Sequence, residues 1–155
     1  MEIKEYLKRQ NIKFKTYIHP AVYTCVEADR YDKDIKGIHS KNLFLKNKKS
    51  TKFYLIIIPA NIKLNLDKFE VLLNEKLKFA TENNLKDILD LAPGSVSPFG
   101  LINDKEIKVE LIIDKEIWNS EYVSFHPNIN TETLELSGVD FQKYANSLKN
   151  KLMIV

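Results

Sequence analysis

Apolar residues recur along this chain with two different periods, and the change from one to the other predicts its elements. Over residues 2–10, Ile3, Tyr6 and Leu7 share one face at helical spacing, which predicts an amphipathic first helix. Residues 14–18 alternate apolar side chains with lysine and threonine as a strand does, and His19-Pro20 ends the run. Thr24-Cys-Val-Glu27 has the form of a capping box that starts a short helix to Tyr31. Residues 42–45 and 53–58 are two apolar runs joined by a turn, a hairpin whose second strand reads as buried on both faces. A helix opening at Asp67 and running to Glu75, a short strand over 77–80 and a helix capped by Thr81 and reaching Leu91 follow. Strands are expected over 108–113, 122–125 and 133–136, and Ser137-Gly-Val-Asp140 caps a final amphipathic helix ending at Leu148.

Helices are interspersed with strands, yet hairpin-like spacing dominates the second half, so the pattern predicts a mixed α/β fold: a curved, barrel-like mixed sheet wrapped by helices. With 155 residues and 44% hydrophobic content the chain supports one core, read as a single domain over residues 1–155. It contains no repeat and no Pro/Gly/Ser linker. The start is charged, without an apolar leader, and no apolar run is long enough to cross a bilayer; the expectation is a cytoplasmic protein without a membrane partner. Cys25 is the only cysteine, which excludes an internal disulfide and a four-thiolate zinc site.

A net charge of +3 on 24 basic and 21 acidic residues says little about partners, and the distribution says more. Lys46, Lys48, Lys49 and Lys52 fall within seven residues of the expected hairpin turn, where they either meet phosphates or keep a sheet edge soluble. No phosphate loop, dinucleotide fingerprint or H-E-x-x-H occurs, and His19, His39 and His126 stand singly, so neither a cofactor nor a metal is expected. Ser95 and Ser97 lack a nucleophile elbow, and Cys25 fits a core position better than a nucleophile. What remains are polar residues at the ends of apolar strands. Lys41 and Asn42 precede Leu43-Phe-Leu, and His126 follows Val123-Ser-Phe; each is a candidate, with a solvated strand end or a backbone cap as the plainer role. Residues 92–100 differ, because two of the four glycines and two of the five prolines fall in nine residues. Such a loop serves the backbone, since glycine lets a ligand approach and leaves amides free to point at it.

Three segments together, His39-Ser-Lys-Asn-Leu-Phe-Leu45, Gly94-Ser-Val-Ser-Pro-Phe-Gly-Leu-Ile-Asn-Asp104 and Phe125-His-Pro-Asn128 with Asn130-Thr131, resemble the YbaK/ProX family of free-standing prolyl-tRNA editing domains. The combination is most similar to the ProX branch, which clears alanyl-tRNA(Pro). The resemblance implies a mixed α/β fold around a barrel-like sheet and an aminoacyl-tRNA deacylase without cofactor. It implies that Lys41 engages the terminal adenosine phosphate and the ester, and that Gly94 lies in a loop whose amides bind the scissile carbonyl. Asn42 would hold the CCA end, Ser95, Pro98, Phe99 and Gly100 would complete the substrate site, and His126 would shape a pocket for a small side chain. Lys46, Lys48 and Lys49 would touch the tRNA. Mischarged tRNA(Pro) is the implied partner, with prolyl-tRNA synthetase a further one left open. Ser40 departs from the small or thiol residue of some relatives. Two alternatives stand beside this reading: a cysteinyl-tRNA(Pro) deacylase of the YbaK branch, and a non-catalytic tRNA- or synthetase-binding or regulatory module.

Overall fold

The structure is a computed structural model that describes residues 2–21 and 35–155. The capping box at Thr24 and the position of Cys25 lie outside the described residues. The first helix forms at Ile3–Arg9, where the Glu2 carboxylate accepts from the Lys4 amide and Ile3 and Leu7 point into the core.

Among the described residues eight strands build two sheets: β1 (Lys15–Ile18), β2 (Ser40–Asn47), β3 (Phe53–Pro59), β4 (Leu77–Phe79), β5 (Val109–Ile113), β6 (Tyr122–Phe125), β7 (Glu132–Ser137) and β8 (Leu152–Ile154). The larger is mixed, in the order β4-β2-β3-β5-β8, and the smaller is antiparallel, β1-β7-β6. The expected hairpin is β2 with β3, antiparallel, while β5 and β8 lie parallel to β3. The expected barrel is not closed. Among the described residues one bridge, Ile38 with Val123, joins the chain before β2 to the smaller sheet. That approach depends on Gly37, at φ 110°, where a Cβ would stand 2.6 Å from the Tyr122 carbonyl oxygen.

Every residue of β3 is buried, as its unbroken apolar run predicts. Its alternation divides the core in two. Phe53, Leu55 and Ile57 face a large cluster with Phe99, Phe125, Leu134, Phe141 and Tyr144, and Tyr54, Ile56 and Ile58 face a smaller one with Phe69 and Leu77. Each large side chain buried in this way contributes about 1.5–3 kcal/mol. Sequence pattern missed β8, whose three residues are too few to show a period, and the one-turn helix Lys115–Trp118.

Two helical segments fix the surroundings of the site. The helix expected from Asp67 to Glu75 spans Leu66–Leu73, because Asn74 turns left-handed at φ 53° and ends it. Thr81 does cap a helix, in a reciprocal capping box with Asn84. That helix widens into a π turn at Leu85–Leu89, which turns Leu85, Ile88 and Leu89 inward, and Asp90 ends it at φ 54°.

Candidate active site

β4 pairs with β2 only from Leu45 to Asn47, so the part of β2 before it has a bare edge toward Ala80, whose amide donates to the Phe44 carbonyl. A cleft of about 330 Å³ opens there. Asn42, Leu43 and Phe44 form one wall, Phe79 to Glu82 another, and Pro93, Gly94 and Val96 the third. A larger hollow, about 570 Å³, runs along Asp67, Glu70 and Glu75; three carboxylates make it a poor seat for a polyanion.

The cleft joins two of the sequence candidates. Asn42 Nδ2 donates to the Val96 carbonyl at 3.1 Å, which ties the strand to the glycine loop, and Asn42 Oδ1 receives the Ser40 hydroxyl at 3.5 Å. Gly94 sits at φ 87°, a conformation that suits only a residue without Cβ. Ser95 N–H donates back to Ala92 O at 3.1 Å and closes the turn. Among the described residues the amides of Gly94 and Val96 donate to no other group of the protein.

The rest of the loop is its foundation. Ser97 is fully buried and its Oγ caps the Phe99 amide, starting the 3-10 helix Pro98–Asn103 with proline at its first turn. The Phe99 ring meets Phe125 at 5.8 Å and Tyr144 at 5.2 Å, and a Cβ on Gly100 would collide with Leu91 at 2.6 Å. Tyr144 O–H donates to the Pro98 carbonyl at 2.7 Å, and burial pushes that hydroxyl well above the usual range, so it stays a neutral donor. Ser95 is buried, Pro98, Phe99 and Gly100 pack into the foundation, and Pro93, Gly94 and Val96 are what the loop presents to the cleft. Half of the dense Gly/Pro signal answers to packing.

Lys41 and Asn42 leave β2 on opposite faces. Asn42 pairs with Ile57 on the side of the large cluster, and Lys41 pairs with Ile58 on the side of the helix Leu66–Leu73. There Lys41 Nζ donates to the Ile62 carbonyl at 3.0 Å. Lys41 thus flanks the cleft two residues before Leu43 instead of lining it.

Lys46 belongs to β2, not to the turn: it is 7% exposed and donates to Asn84 Oδ1 at 2.8 Å, bracing the Thr81 capping box at the rim. Lys48, Lys49 and Lys52 are exposed cations of the turn. Asn47 holds that turn, its Oδ1 accepting from the Thr51 and Lys52 amides while its Nδ2 donates to Glu75. Tyr54 O–H donates to the other Glu75 oxygen at 2.6 Å, and these bonds, the tyrosine's first and Asn47's second, hold the carboxyl below the usual range. Burial, with that carboxylate beside it, pushes the Tyr54 hydroxyl up.

His126 follows β6 and donates through Nδ1 to the Glu132 carbonyl at 2.9 Å. Its ring lies 5.9 Å from that of His19, which contacts the Pro20 carbonyl and the Thr133 hydroxyl at 2.8 Å each. The histidines that read as single are neighbours, because β1 and β6 flank β7 and run the same way, each ending in His-Pro. That repeated dipeptide was the available signal. Asn128, at φ 67°, donates to the Phe99 carbonyl at 3.4 Å and links this segment to the loop foundation. Among the described residues no group of three His, Cys, Asp or Glu is placed to hold a metal, and no helix is long and apolar enough to cross a membrane.

A strand edge faced by a glycine loop with unengaged amides, on a mixed α/β frame, makes a small domain with a cleft that offers hydrogen-bond donors along one wall. Relatives specify it further. The aminoacyl-tRNA editing domain matches residues 19–144, and the chain belongs to that family. The prolyl-tRNA editing protein ProX of Acetoanaerobium sticklandii is 34% identical over 145 residues, covering 93% of this chain and 88% of that protein. Prolyl-tRNA synthetase associated domain-containing protein 1 of Mus musculus is 32% identical, covering 90% and 85%. A solved structure of a candidate trans-editing enzyme for prolyl-tRNA synthetase shares the fold at TM-score 0.76 and 16% identity, covering 99% of this chain and 93% of that one.

Proposed function

We propose that the protein is a trans-editing deacylase that hydrolyses the ester of mischarged tRNA(Pro), with alanyl-tRNA(Pro) as its preferred substrate, in the cytoplasm. The observation that carries the reading is the cleft in which Asn42 fastens the Gly94 loop against the β2 edge; the family and the relative named for prolyl-tRNA editing give it a substrate.

An aminoacyl ester is already activated, so positioning and oxyanion stabilisation do most of the work. In this reading the amides of Gly94 and Val96 receive the negative charge that develops on the scissile carbonyl. Asn42 keeps the loop in register with the strand. Lys41 holds the adjoining phosphate from the other side of the edge. No nucleophile is required of the protein: the ribose hydroxyl beside the ester orients the attacking water, and a terminal 2′-deoxyadenosine substrate is expected to lose most activity. His126 is not among the residues that line the cleft, and its proposed role as the wall that admits alanine and excludes proline rests on the family resemblance. Lys48 and Lys49 add phosphate attraction without sequence preference, and binding weakens as salt rises.

The test is deacylation of alanyl-, cysteinyl- and prolyl-tRNA(Pro) by the purified protein, with Lys41→Ala alongside. Lys41-dependent loss of alanine with proline spared supports the reading. Preference for the cysteinyl ester moves the substrate assignment, and inertness toward all three overturns it.

A further inference from the structure

On the face of the sheet opposite Asn42 the mechanism above uses Lys41 alone. Strand register puts Lys41, Leu43 and Leu45 on it in a row, and Phe79 stands directly across from Leu45. Leu45 is covered by the smaller core cluster; Phe79 is not, and 58% of it is exposed. An exposed phenylalanine on a surface is unremarkable alone. This one lines the same cleft as Asn42 and Gly94 and shares a face with Leu43, which also lines it, and with the Lys41 cation. From Lys41 to the position opposite Phe79 is four residues, roughly 13 Å of strand at about 3.3 Å each, a span that one nucleotide covers when the lysine stem reaches toward it.

Resting on the editing reading, in which Lys41 already holds the terminal phosphate, and deepening it, we propose that Phe79 is the stacking platform for the 3′-terminal base of the tRNA, with Leu43 beside it under the ribose. The adenine stacks on the Phe79 ring, the ribose lies over Leu43 at the strand edge, and the phosphate meets Lys41 Nζ, drawing it from the Ile62 carbonyl. The ester then crosses the bare edge of β2 into the space between Asn42 and Gly94. The placement of Lys41 and Asn42 on opposite faces becomes functional: one grips the nucleotide and the other fixes the loop that receives its ester. A stacking platform tolerates any base, so it supplies affinity and not tRNA identity.

The experiment uses uncharged tRNA(Pro) with 2-aminopurine in place of the terminal adenine, whose fluorescence is quenched on stacking, and the wild type, Phe79→Ala and Phe79→Trp. Wild type and Phe79→Trp are expected to quench the probe and Phe79→Ala to leave it bright. On alanyl-tRNA(Pro), Phe79→Ala is expected to raise KM roughly five- to hundred-fold with kcat and melting temperature nearly unchanged. Equal quenching by wild type and Phe79→Ala, or an unchanged KM in an active enzyme, overturns the seat and leaves the deacylase reading standing. A wild type that hydrolyses nothing overturns the deacylase reading, and quenching alone then decides whether Phe79 stacks the terminal base.

Discussion

Replacing Tyr144 with phenylalanine isolates the loop foundation from everything else the residue does. The ring is fully buried among Tyr6, Phe99 and Phe141 with centroids 5.2–6.3 Å away, and phenylalanine keeps those contacts. What disappears is one O–H donor, and the buried Pro98 carbonyl it served at 2.7 Å is stranded. A buried acceptor left without a partner costs about 1–3 kcal/mol, and relief of the hydroxyl's own desolvation keeps the expected loss to about 1–2 kcal/mol. At about 2–4 °C per kcal/mol for a chain of this size, the melting temperature should fall by roughly 2–8 °C. Because the 3-10 helix Pro98–Asn103 underlies the Gly94 loop, kcat for ester hydrolysis should fall several-fold with KM little changed. Calorimetry and steady-state kinetics check both. A melting temperature within 1 °C of wild type, about the resolution of such a comparison, together with unchanged kcat, would refute the reasoning.

Gly94→Ala forces a side chain into φ 87°, which should cost about 1–2 kcal/mol in thermal melts and, by displacing the loop amides, about 100-fold in kcat; equal kcat would remove them from the oxyanion role. Glu75 has a depressed folded-state pKa, so its stabilisation is present above the unfolded value of about 4.3 and lost as pH falls through the folded one; the melting difference between wild type and Glu75→Gln should shrink on the acid side. Tyr54 and Tyr144 have raised values, so their contribution is complete below about pH 10 and lost as pH rises beyond it, a decline that Tyr54→Phe should flatten. His126→Ala should fold and lower the preference for alanyl- over prolyl-tRNA(Pro), by about 10- to 200-fold for a lost size contact; unchanged discrimination would return His126 to a structural role, with its bond to the Glu132 carbonyl and its ring beside His19.

Elements with a long period or a clear cap were legible before any coordinates: the Phe53–Pro59 strand, the Thr81 cap, and the Ser137 cap whose hydroxyl accepts from the Asp140 amide. The division into two sheets was not, because it depends on which strands end beside one another, and among the described residues Gly37 marks the crossing. At the site, Asn42 and Gly94 could be named from residue type and position, and the cleft unites them. Strand period already separates Lys41 from Asn42, but β2 carries apolar residues on both faces, Phe44 on one and Leu45 on the other, so the pattern does not say which face borders the cleft. Lys46 misled for a related reason: strand pairing runs on to Asn47, and a lysine that counts as turn by composition becomes an inward-facing strand residue.

An unpaired strand edge invites a strand from another molecule, and proteins usually bury, charge or interrupt theirs. The early end of β4 leaves such an edge on β2 at Asn42 and Leu43, just ahead of the Phe44 carbonyl that the Ala80 amide engages. A visiting strand meets the loop there, since Pro93, Gly94 and Val96 stand across the cleft from that edge and the Asn42 side chain crosses it to the Val96 carbonyl. The loop that makes the cleft also guards it against self-association, so variants that loosen residues 92–96 should aggregate before they unfold.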